Sequence, residues 1–187
     1  MYLVSLLHTT DWLNQKRRLQ KALELLIKYF EFQSTLFIAR ELFVGASFDL
    51  TSRLYVKVKA GTPWNLSTRQ LLDFPEDSLG FHLGCFLLQH NFEPQPKCED
   101  HDIFHVLTGY KTDTAQEIAL QFFLYGNGKR SPFLSLAMGA GYLLYPDQYA
   151  TFKAAKEQGH LAPPVYDLDF KGLLHKPFKQ LKSQFIN

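Results

Sequence analysis

Apolar residues along this chain recur mostly at three- and four-residue steps, the period of a helix. Between Asn14 and Phe43, Leu19, Leu23, Leu26, Ile27 and Phe30 share one side, and Lys16, Arg17, Lys21, Glu24 and Lys28 the other. Phe37, Ile38 and Leu42 continue the stripe, with Gln33-Ser34 as a candidate break into a second helix. A stripe of this kind suits packing on a core better than lying on a membrane. From Leu54 to Lys59 the pattern alternates, Leu-Tyr-Val-Lys-Val-Lys, so a short extended segment is expected near 53–59. Gly61-Thr62-Pro63 then breaks the chain.

Ser67 is placed to cap a short helix reaching toward Phe74. Ser78 to Asn91 is apolar on several sides, as buried helices are. Gly80 and Gly84 sit one turn apart there, which suits close helix packing or space for a ligand chain. Pro94 and Pro96 mark a loop. The next helix has Glu99 and Asp100 at its start, where the helix dipole favours negative charge, and Gly109 at its end. A further helix begins near Thr112–Thr114 and carries Ile118, Leu120, Phe122, Phe123 and Leu124. Ser131-Pro132 opens another, with small residues around Gly139 and Gly141. Asp147 to Gln158 is amphipathic, with Gly159 and Pro163-Pro164 as its stop. Asp167 to Asn187 is helical and basic, interrupted at Pro177. The expected architecture is all-α: one domain over 1–187, a bundle of about seven to nine helices around an apolar cavity.

Composition sharpens this picture at a few points. With 17 Phe, 9 Tyr and 2 Trp, the apolar content is strongly aromatic. That suits a packed core or a cavity for a large apolar ligand. The net charge of +2 is dispersed, and the basic clusters at 16–18 and 176–182 are broken by apolar residues. Nucleic acid is not an expected partner; an anionic membrane face is compatible. Cys85 and Cys98 form no framework, which fits a reducing cytoplasm. The apolar run Tyr2–Leu7 has neither a preceding basic residue nor a following cleavage site, so no signal peptide is expected, and no transit peptide is visible. The uncharged runs Ser78–Phe92 and Ser131–Pro146 fall short of the roughly 18 residues a transmembrane helix needs.

The candidate chemistry lies in His101-Asp102-Ile103-Phe104-His105 and, twelve residues after His105, Glu117. Histidines four apart share a helix face, and Asp102 can share its edge. Imidazole nitrogens and carboxylate oxygens are common Zn²⁺ donors, and an incomplete set leaves a place for water or substrate. Glu117 also has a purely structural reading: Thr114-Ala-Gln-Glu117 is a capping-box pattern. The His-Asp dyad alone also resembles metal-dependent phosphohydrolases of the HD superfamily. Those need an earlier His and a distant Asp; His82 or His90, and Asp147 or Asp167, are available, but no spacing selects them. No nucleophile elbow, phosphate loop or dinucleotide glycine motif is present.

The pattern His101-Asp102-x-x-His105, with eleven residues before Glu117, resembles the zinc-binding signature of the Coq-four family of coenzyme Q (ubiquinone) biosynthesis proteins. Gly109 is similar to that family's glycine after the second His. Pro75-Glu-Asp-Ser-Leu79-Gly80 is similar to the segment opening its preceding helix. The specific part of the likeness is 75–117; the C-terminal third is similar only in outline. The resemblance implies an α-helical protein, peripheral on membranes, that binds the isoprenoid tail of quinone precursors among helices 79–92, 118–125 and 133–145. It implies a divalent metal, Zn²⁺ first among candidates, held by His101, Asp102, His105 and Glu117, with Asp102 either a ligand or an orienting group. The same four residues would serve catalysis. The implied reaction is loss of the ring C1 carboxyl of a polyprenyl hydroxybenzoate-like acid, with hydroxyl taking its place. The alternative is a lipid-binding scaffold that organises other quinone-biosynthesis proteins. The implied location is cytoplasmic, on the inner membrane in a bacterium. Homo-oligomerisation through the apolar helices stays open.

Overall fold

The structure, a computed structural model, describes the backbone of residues 2–59 and 61–185 and the side chains of 15–46, 56–57, 59 and 61–185. Its helices are α1 (Tyr2–Val58), α2 (Thr68–Leu72), α3 (Leu79–His90), α4 (Glu99–Thr108), α5 (Thr114–Gly126), α6 (Pro132–Leu144), α7 (Tyr149–Leu161), α8 (Phe170–Leu173) and α9 (Phe178–Phe185), with a 3₁₀ turn at Pro146–Gln148. No strand occurs among the described residues, so the architecture is all-α as expected. The final two residues, Ile186 among them, lie outside the described range.

Several local expectations are corrected. The alternating stretch at 53–58 is helical. An isolated strand has no neighbour to satisfy its backbone, whereas a helix satisfies its own. The break at Gln33-Ser34 does not occur either: the Ser34 and Thr35 hydroxyls both donate to the Glu31 carbonyl, at 2.9 and 2.8 Å, and the helix runs on. Gly159 does not end α7, which continues to Leu161.

The chain divides into two units, 1–43 and 44–187. In the first, Leu19, Phe30 and Leu42 are exposed rather than buried in a core.

The second unit is a helical bundle with α5 at its centre. Every residue from Ile118 to Leu124 on α5 is buried. Helix α7 packs most extensively on α5, with Phe152 stacked on Phe122 at 4.9 Å and Ala155 buried beside it. Two glycines make the crossing possible. A Cβ on Gly126 would stand 2.0 Å from the Lys156 carbonyl oxygen, and one on Gly159 would stand 2.0 Å from the Phe123 carbonyl oxygen. The helices therefore touch backbone to backbone.

Just past α5, Asn127 holds the return of the chain. Its amide nitrogen donates to the carbonyls of Gly159 (3.1 Å), Ala162 (3.3 Å) and Pro163 (2.9 Å). Its oxygen accepts from the amides of Val165 (2.8 Å) and Tyr166 (3.3 Å).

Helix α3 starts under the C-terminal segment. The Leu79 and Gly80 amides donate to the carbonyls of Lys176 and Leu174, each at 2.9 Å. Gly80 and Gly84 are packing glycines: added Cβ atoms would meet Phe74 at 2.8 Å and Leu72 N at 3.0 Å. On α6 the two small positions part ways. Gly141 is packed, its Cβ position 2.6 Å from Ile118 Cγ2, whereas Gly139 has nothing within 4 Å.

Candidate metal centre

Helix α4 carries the two histidines on one face, with ring centroids 4.8 Å apart. Its acidic first turn meets the positive end of the helix, and Gly109 ends it at φ 79°, a left-handed conformation that glycine adopts without strain. The chain then turns so that the Tyr110 carbonyl lies 2.9 Å from His105 Nδ1. That loop is anchored in turn, because the Tyr110 hydroxyl donates to Gln158 Oε1 at 3.0 Å. Phe86 of α3 stacks on the His105 ring at 5.7 Å, 12° from parallel. His105 is thus fixed at one ring edge and one ring face, and is only 3 % exposed.

Helix α5 brings Glu117. Its N-cap is Asp113, which accepts from the Gln116 amide at 3.2 Å. The capping-box reading of Glu117 falls, and its carboxylate is free to face α4. Oε1 lies 3.0 Å from His105 Nε2 and Oε2 lies 3.3 Å from His101 Nε2.

A carbonyl can only accept, so His105 Nδ1 carries the proton in its contact with Tyr110. In the neutral ring, Nε2 is then a bare lone pair facing a carboxylate oxygen. In that tautomer the buried nitrogen has no proton to donate to Glu117. Two acceptors at 3.0 Å repel unless a proton or a metal cation lies between them. The donor atoms of His101, His105 and Glu117 all lie within 4.8 Å of one another. Ligand atoms about 2 Å from a tetrahedral metal are about 3.3 Å apart; the two Glu117–histidine distances, 3.0 and 3.3 Å, have that spacing, so the group could hold a divalent ion.

Asp102 is not in that group. Its Oδ1 stands 3.9 Å from His101 Nδ1, the ring nitrogen turned away from Glu117. That is where an orienting carboxylate acts on a ligand histidine. Among the described residues this is the one group of three or more candidate donors. Of the residues offered for a phosphohydrolase set, neither His82, stacked on Phe178 at 4.1 Å, nor His90, against Phe86 and Phe92, is in the group of donors, and neither is Asp147 or Asp167.

The charges support one another without a metal. Burial works against a charged His101, but Asp102 and Glu117 outweigh it and push its pKa up to about 9. Burial also works against a charged Glu117, but His101 and His105 hold its carboxyl down at about 2. The raised His101 pKa stabilises the metal-free fold fully below its ordinary 6.5, and that contribution disappears as pH rises through 9. Glu117 contributes above its ordinary 4.5, and loses this as pH falls toward 2. For these two groups the metal-free protein is most stable between pH 4.5 and 6.5. Its thermal midpoint is expected to fall from pH 6.5 to 9, and His101→Gln should flatten that alkaline limb. An unchanged limb in the variant would assign it to other groups.

A cavity of about 560 Å³ opens beside the cluster, reached by His101, Asp102 and Glu117. Gln121, Lys59 and Lys129 also line it, and none of them stood out in the sequence. Gln121 had a signal: it is the one strongly polar residue in the run Ile118–Leu124, one turn after Glu117. The lysines had none.

Fold and site together define an all-α protein with a His/His/Glu metal-capable centre at the mouth of a cavity. A crystal structure from Nostoc punctiforme, described as a "Putative ubiquinone biosynthesis protein", shares the fold with a TM-score of 0.51 and 20% identity, over 67% of this chain and 70% of that one. No family model matches the chain, and no curated protein matches it. No helix among the described residues is long and apolar enough to cross a membrane.

Proposed function

We propose that this protein acts in the synthesis of prenylated quinones, as a metal-dependent enzyme that removes the ring carboxyl of a prenylated hydroxybenzoate-like acid. The observation that carries this reading is the convergence of the His101, His105 and Glu117 donor atoms, all within 4.8 Å of one another, at the cavity's edge. The fold shared with the Nostoc protein and the spacing from His101 to Glu117 support the quinone context.

The chain's own residues do the positioning. Tyr110 holds the His105 tautomer, Phe86 holds its ring, and Asp102 faces the outer nitrogen of His101. A bound divalent ion would supply Lewis-acid polarisation of a ring oxygen or carboxylate. Loss of CO₂ leaves an electron pair on the ring carbon. Replacement by hydroxyl is a two-electron oxidation: with water as the oxygen source, two electrons pass to an acceptor from outside the chain; with dioxygen, a donor from outside the chain supplies two electrons and the second oxygen leaves as water.

Protein purified without added metal is expected to carry one divalent ion per chain, and the His101→Ala/His105→Ala double variant none, with helix content unchanged. Turnover of a prenylated hydroxybenzoate, followed as released CO₂, should vanish in the variant. Equal metal content in both proteins would overturn the reading.

The second reading is a non-catalytic lipid-binding scaffold for other quinone-biosynthesis proteins on a membrane surface. The outward face of α6 favours it: Leu136 and Leu143 are 60% and 78% exposed, beside the open Gly139. On this reading, the double variant loses metal yet still binds prenyl lipid and its protein partners.

A further inference from the structure

Two polar groups in the cavity have no role in holding a metal. Gln121 is 2% exposed, lines the cavity, and its amide nitrogen has no hydrogen-bond partner. A buried amide left unpaired costs about 1–3 kcal/mol, so a folded core keeps one where something completes it. Lys129 lines the same cavity from the turn after α5. Its ammonium lies over the Phe104 ring at 5.1 Å, and no described carboxylate forms an ion pair with it. Asp100, on the same wall, is engaged by Lys59 at 3.8 Å. Burial, with the Lys59 charge added, pushes the Lys129 pKa down, as expected for a cation short of counter-charge.

We propose that Gln121 and Lys129 form a subsite for the carboxylate of an aromatic or alkyl monocarboxylic acid, whose apolar body lies against Phe92 and Phe133. An ammonium and an amide N–H are both donors, and a carboxylate is a pure acceptor with two oxygens to offer them. A phosphate dianion fits less well, because Glu93, Asp100, Asp102 and Glu117 line the same space. The inference rests on the proposed reaction for its substrate class, and it deepens that reading by giving the acid an orientation. With the carboxylate at Gln121 and Lys129, the triad is left for the other polar group of a hydroxy acid.

The test is calorimetric titration of the full chain, stripped of metal by chelator and separately reloaded with Zn²⁺. The probes are 4-octylbenzoate, the uncharged 4-octylbenzamide, and inorganic phosphate. The benzoate is expected to bind the stripped protein, and the benzamide about tenfold more weakly or worse. Lys129→Gln and Gln121→Met should each weaken benzoate binding by about tenfold, with ligand-free thermal midpoints at or above the parent's because each removes a polar group without a counterpart, while Lys129→Arg retains binding. Undiminished binding by Lys129→Gln would overturn the subsite. So would benzoate binding that requires metal and disappears in Glu117→Gln alone; the metal centre would then read the acid and its own assignment would stand. Phosphate bound more tightly than benzoate would overturn the carboxylate assignment. Benzoate binding that depends on Lys129 in a protein that takes up no metal would uphold the subsite while the proposed reaction fell.

Discussion

Gly159→Ala is expected to lower the unfolding free energy by about 3 kcal/mol or more, although glycine to alanine within a helix usually stabilises by up to about 1 kcal/mol. The sign reverses because the new methyl would sit 2.0 Å from the Phe123 carbonyl oxygen and 3.0 Å from the Asn127 amide nitrogen. Both are backbone atoms, one on α5 and one on the residue that caps it, so no side chain can swing aside. Relief requires α5 and α7 to separate, which loosens the most extensive helix pair in the bundle. Gly139→Ala is the matched control. It lies within α6 with nothing within 4 Å, and should gain about 0.5–1 kcal/mol. Urea unfolding of the two variants decides the matter: equal midpoints would show that the backbone crossing is not as described.

Asn127→Leu is expected to be as damaging, by about 3 kcal/mol or more. The substitution leaves three carbonyls and two amides without their side-chain partner, in a site only 7% exposed. Asn127→Asp separates hydrogen bonding from shape. It keeps the acceptor for Val165 and Tyr166 but turns a carboxylate oxygen toward the carbonyls of Gly159, Ala162 and Pro163. A loss comparable to Leu is expected, since acceptor would face acceptor inside the protein. Chemical denaturation should show a lower midpoint with unchanged slope. A midpoint for Asn127→Asp at the parental value would mean that the three carbonyls do not depend on this amide.

Helix ends were the most legible feature of the chain. Ser67 caps α2, Pro132 opens α6 and Gly109 ends α4, as their chemistry suggests; Ser78 proves to cap α3 as well. Local chemistry decides such positions, and local chemistry is what a sequence displays. The pair His101 and His105 was legible for the same reason, since helical spacing alone puts them together. Glu117 was not decided by spacing, because a cap and a ligand make the same demand on a first-turn carboxylate; Asp113 in fact takes the capping role. Gly159 was misread as a stop because its reason lies on another helix. Lys129 was silent because a lysine in a glycine-rich turn ordinarily faces water. The stretch at 53–58 misled through a six-residue alternation, too short to outweigh the absence of a partner strand.

The glycine crossing has a bearing on the His/His/Glu cluster, although the two are far apart. Gly126 and Glu117 lie at opposite ends of α5, nine residues and about 13 Å apart along the axis. The helix is therefore a lever arm: pivoting it by about 5° at the crossing swings its first turn by about 1 Å, several times the roughly 0.2 Å by which metal–ligand distances vary. Backbone-to-backbone contact leaves less play at a fulcrum than interlocked side chains do. The two glycines, with the buried run Ile118–Leu124, thus fix the direction of α5, and with it the place from which Glu117 faces the histidines of α4.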